Sequence, residues 1–112
     1  MNPITSLNET LPMPETQRAT LPLLDLKNDT KLVLVALPGG AQVPAHQAPY
    51  PASVLLLSGS IEVMKGEAWK RIGPGASVPI DAEVPHSIKA VEPSYFLVTH
   101  FRGLGSRTQA SH

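Results

Sequence analysis

The chain has 112 residues, no cysteine, and nine Lys plus Arg against nine Asp plus Glu. That length makes one domain with a core of its own, and the missing cysteines exclude disulfides, zinc ribbons and a cysteine nucleophile. Zero net charge without a Lys/Arg cluster argues against a nucleic-acid partner, and no apolar run reaches the length of a membrane span.

Residues 1–20 are polar, carry three prolines and have neither a basic start nor an apolar core. They read as an irregular arm and not as a secretory signal. A soluble, cytoplasmic protein without a membrane partner is therefore expected. A barrel domain is expected over 21–102, with a flexible tail over 103–112. "LPLLDL" reads as a short edge strand, and "KLVLVAL" (Lys31 to Leu37) as a strand too short and too rich in Val and Leu for a helix. "PGG" turns the chain, and "AQVPAH" leads to "SVLLLSG", a strand that Gly59 stops. "SIEVMKGEAWKRI" has the form of a hairpin turning at Lys-Gly. "ASVPI", "HSIKAV" and "YFLVTHF" complete roughly eight short strands separated by turn signals. Twelve prolines scattered along the chain suit this all-β reading, a sandwich or barrel.

Two strands, "LVLVAL" and "VLLL", are apolar on both faces. A strand with one wet face should alternate, so their outer face should be covered. With no helical stripe in the sequence, a second subunit is the expected cover, and a homodimer the expected assembly.

The histidines are His46, His86, His100 and His112. The last is the terminal residue and reads as solvated. Neutral imidazole is both the commonest metal ligand and the commonest acid–base group near neutrality. His46 stands in "GAQVPAHQAPYPASVLLLSG", with five residues between it and Gly40, and ahead of Gly59; His86 stands in "GASVPIDAEVPHSIKA", which Gly75 opens.

These two stretches, with the hairpin between them, resemble the two motifs of a small cupin of the RmlC-like, conserved-barrel type. The resemblance covers about Leu32 to Phe101. It implies a double-stranded β-helix, or jelly roll, enclosing a cavity. Cupins of this family hold a divalent metal through two histidines and a glutamate of the first motif plus the histidine of the second. Here the second histidine position is Ala48, and the glutamate position is Ala52, or Ser53 on the longer spacing. Asp81 and Glu83 replace the Pro and Gly of the second motif, and Ala90 its final Asn. The motifs are degenerate. The implied cofactor, a divalent metal (Fe, Mn, Ni or Zn), has an incomplete ligand set.

His46 and His86 are the surviving pair and the catalytic candidates, if there is catalysis. His100 is a substitute third ligand if strand parity points it inward beside Phe96 and Val98; an ordinary core histidine is its plainer reading. The expected small-molecule pocket is lined by His46, Tyr50, Val54, Leu56, His86, Phe96 and His100, with Ile61 and Val63 as further apolar wall. Trp69 reads as a cross-strand packing residue, and Asp81 and Glu83 as a solvated turn. Three functions fit. The first is a cupin that binds a small organic ligand without a complete metal site. The second is a metal-dependent enzyme of dioxygenase or isomerase type on His46, His86 and His100. The third is acid–base catalysis by the two imidazoles without metal.

Overall fold

The structure is a computed structural model, and it describes residues 6–104. His112 and the tail from residue 105 lie outside the described residues. A one-turn helix, α1 (Leu7–Thr10), precedes nine strands: β1 (Ala19–Asp25), β2 (Thr30–Leu37), β3 (Gln42–His46), β4 (Ala52–Ser58), β5 (Ile61–Lys65), β6 (Ala68–Ile72), β7 (Ser77–Ile80), β8 (His86–Ala90) and β9 (Ser94–Phe101). A short 3-10 turn, Arg102–Leu104, follows.

The strands form two antiparallel sheets, ordered β1-β2-β9-β4-β7 and β3-β8-β5-β6. This is the jelly-roll architecture that the cupin resemblance implies. "AQVPAH" supplies β3, the strand not counted among the roughly eight. The edge strand starts at Ala19, inside the stretch read as irregular arm.

Alternation along the strands decides what faces what. Val33, Val35 and Leu37 of β2, Val54 and Leu56 of β4, and Phe96 of β9 share the core between the sheets with Ile61, Val63 and Ile88. Leu56 and Ile61 are fully buried there. The residues between them point the other way. Leu34, Ala36 and Tyr95 form a second buried cluster on the outer face of the five-stranded sheet.

The cover of that outer cluster differs from expectation. The chain's own arm lies on it, through Leu7, Leu11, Met13, Ala19 and Leu21. Tyr95 fastens the arm, its hydroxyl lying 2.8 Å from the Leu11 carbonyl and 3.1 Å from Oδ1 of Asn8. No helical stripe was needed, because an irregular segment with a few well-placed leucines buries the same apolar area.

Two details lock the ends of the sheets. Gly59 has φ +96, and a Cβ there would sit 2.8 Å from Cα of Ser94. Glycine alone avoids both the clash and the strained backbone. Buried Ser94 then accepts the Ser60 N–H at 3.0 Å and donates to the Glu92 carbonyl at 2.7 Å. At the other end Arg102 binds the Asp25 carboxylate and donates from Nε to the Asp29 carbonyl at 2.8 Å. That Arg102 hydrogen bond holds the Asp25 carboxyl below its ordinary value.

Candidate ligand cavity between the sheets

The sheets splay apart where β3, β4, β8 and β9 bring their histidine-bearing or alanine-bearing ends together. A cavity of about 230 Å³ opens there. Its floor is hydrocarbon, including Val33, Val54, Ile80, Ile88 and Phe96; its polar lining is Arg18, Thr20, His46, Tyr50, Asp81, His86 and His100.

His46 and His86 are cross-strand partners on β3 and β8, reached after the register slips between Val43 and His46. Their ring centroids lie 4.1 Å apart at 61°. Each ring is oriented by the backbone two residues before it: Nδ1 of His46 lies 3.0 Å from the Pro44 carbonyl, and Nδ1 of His86 lies 3.1 Å from the Val84 carbonyl. A carbonyl only accepts, so in the neutral ring Nδ1 carries the proton and Nε2 is left as an acceptor. Burial holds the His86 imidazole below its ordinary value, and neighbouring His46 adds to this against the opposing Val84 hydrogen bond. Burial thus favours the neutral form of His86.

His100 does point inward, on the same parity as Phe96 and Val98. It meets Tyr50 edge to face, with centroids 5.8 Å apart. Its Nδ1 is buried without a hydrogen-bond partner. Burial lowers its affinity for a proton, and the charges of Lys31 and Arg102 lower it further.

The cavity gathers six of the seven residues expected to line it. Leu56 is not among them, because it lies in the closed core below the cavity. Ile61 and Val63 belong to that core as well. Trp69 pairs with Met64 across the hairpin and carries Lys89 at 4.9 Å from its ring, away from the site. Asp81 is exposed, as a solvated turn residue should be, yet it also reaches the cavity lining; Glu83 does not. Arg18 and Thr20 were missed. Alternation around Ala19 was the available signal, but it needed a strand where the sequence read as an arm.

The residues present do not add up to the metal site of the resemblance. Ala48 and Ala52 line the cavity at the lost ligand positions. Among the described residues no group of three or more His, Cys, Asp or Glu side chains stands close enough to hold a metal ion. Two bare Nε2 atoms supply half of a four-ligand set, and His100 is not within reach to complete a third. Among the described residues no helix is long and apolar enough to cross a membrane.

Solved structures with the same fold include a conserved protein of unknown function from Streptococcus pyogenes, with TM-score 0.81, 23% identity and coverage of 88% of this chain and 86% of that one. A cupin superfamily protein from Desulfitobacterium hafniense follows at TM-score 0.79, 16% identity and coverage of 85% and 86%. The DMSP lyase DddQ from Ruegeria pomeroyi matches at TM-score 0.69 and 25% identity, over 76% of this chain and 47% of the lyase. No curated protein matches the chain. A cupin domain is matched over residues 33–100, most of the chain and both histidine motifs, and the protein belongs to the cupin family.

Proposed function

We propose that the protein binds a small organic ligand in the cavity between its sheets, with His46 and His86 as the polar pair. The observation that carries this reading is the cavity's make-up: a hydrocarbon floor with two oriented imidazoles whose Nε2 atoms have no hydrogen-bond partner among the described residues. Apolar walls with a few convergent polar groups are what small-molecule recognition requires. A volume of about 230 Å³ falls below the ~300–1,000 Å³ of ordinary drug-sized sites, so the ligand is compact. Both Nε2 atoms accept, so the ligand brings a hydroxyl or N–H donor to them.

The rival reading is a metal-dependent cupin enzyme on His46, His86 and His100. The unpartnered Nδ1 of His100 favours it, since a buried bare nitrogen is costly unless something occupies it. Metal analysis decides between the two. Protein purified without added metal should contain less than stoichiometric Fe, Mn, Ni and Zn. A thermal-shift screen of small hydroxylated compounds should give a stabilising hit that His86→Ala abolishes. Stoichiometric metal that His86→Ala removes would reverse the order of the readings.

A further inference from the structure

We propose that the ligand is an organic acid, and that Arg18 receives its carboxylate while its hydroxyl or N–H meets the imidazoles. This rests on the ligand-binding reading above and adds the charge of the ligand to it.

Arg18 directly precedes β1. Ala19 and Leu21 pack on the outer face of the sheet with Leu34 and Ala36, so Arg18 and Thr20 fall on the inner side by alternation. Both line the cavity. Among the described lining residues Arg18 is the one permanent cation. The ion pairs of the described residues are Arg71–Glu62, Lys89–Glu62 and Arg102–Asp25; none engages Arg18. Arg18 is an exposed residue. A guanidinium presents two parallel N–H donors that match a carboxylate, and the Thr20 hydroxyl offers a third donor on the same face.

The neutral imidazoles are poorly suited to that part, because their Nδ1 protons are spent on Pro44 and Val84 and their Nε2 lone pairs face a carboxylate oxygen unfavourably. Donor and acceptor groups are thus divided. Arg18 and Thr20 donate, whereas His46 and His86 accept. A hydroxy acid or amino-acid derivative with a short hydrocarbon body satisfies both pairs and the floor. Asp81 also lines the cavity, and its charge opposes an anion. Removing that charge should tighten binding of the acid.

The test is calorimetric titration of the full chain with lactate, 3-hydroxybutyrate and 4-hydroxyphenylacetate, each beside its primary amide. At least one acid should bind about tenfold or more tighter than its amide, as expected for a hydrogen-bonded charge. Arg18→Gln should weaken the acid far more than the amide and bring the two within about twofold of each other, while Arg18→Lys keeps part of the preference. Asp81→Asn should strengthen acid binding alone. Acid and amide binding the wild type equally, or a preference that survives Arg18→Gln, overturns the Arg18 assignment and leaves the pocket reading standing. No binding by any acid or amide at millimolar concentration overturns both.

Discussion

His46 and His86 face each other across two paired strands, 4.1 Å between ring centroids, with each Nδ1 tied to a carbonyl of its own strand's approach. Both rings cannot be charged at that separation without mutual repulsion.

Stability should therefore fall in mild acid. Burial depresses the proton affinity of His86 and His100 below the ordinary value of 6.5. The unfolded chain then binds protons that the folded chain refuses, and folding weakens as pH drops through 6.5 towards the depressed folded values. Above 6.5 these two groups contribute no slope. Urea midpoints at pH 7.5, 6.0 and 5.0 check this. His100→Phe should flatten the curve, and an unchanged midpoint across the range would refute the assignment.

The arm's attachment is testable at Tyr95. Its hydroxyl interacts with Leu11 and Asn8 at the arm. Tyr95→Phe should cost about 1 kcal/mol, the usual net worth of such a hydrogen bond. The loss should appear first as faster amide exchange over residues 7–20. Uniform change across the sheet instead would mean that the hydroxyl is not what holds the arm.

Gly59→Ala should be among the most damaging single-methyl additions in the chain. The new Cβ meets Ser94 and the Pro93 carbonyl at a positive φ. A loss of about 2 kcal/mol or more is expected, from strain plus displaced backbone. Ala at Gly66, also at positive φ but with open space around it, should cost about 1 kcal/mol. Thermal midpoints of the two variants should differ in that order.

The homodimer stands as a proposal with a smaller interface than first expected, because the arm already covers Leu34 and Ala36. What remains on the outer face is the cross-strand pair Leu55 and Leu97 beside exposed Leu57. Light scattering at micromolar concentration should give twice the chain mass of 11.9 kDa. Leu57→Glu should return the monomer mass with the fold intact. A wild-type monomer would remove the proposal.

The strands were legible because they rest on local pattern, Val/Leu runs and turn glycines, and the pair His46 and His86 because the stretches that Gly40 and Gly75 open resemble the two cupin motifs. His100 was only half legible. Its place on a strand shows in "YFLVTHF", but its facing depends on register with β2 and β4, which are distant in sequence. Arg18 was hidden because β1 borrows its strand character from pairing with β2 and not from its own proline-broken sequence. Leu56 was misplaced by one step along β4. Inward parity was right, but depth below the cavity is a property of how far the sheets splay.

The position of β9 bears on how the protein is made. It is the penultimate feature of the described chain, yet it lies between β2 and β4 in the middle of its sheet. During synthesis β2 can pair with β1 and β4 with β7, but the two halves of the sheet cannot join until Phe101 has left the ribosome. Until then Val33, Val35, Val54 and Leu56 lack Phe96 between them, and the edges of β2 and β4 that β9 fills stay open. The nascent chain thus carries two open apolar strand edges until β9 has emerged.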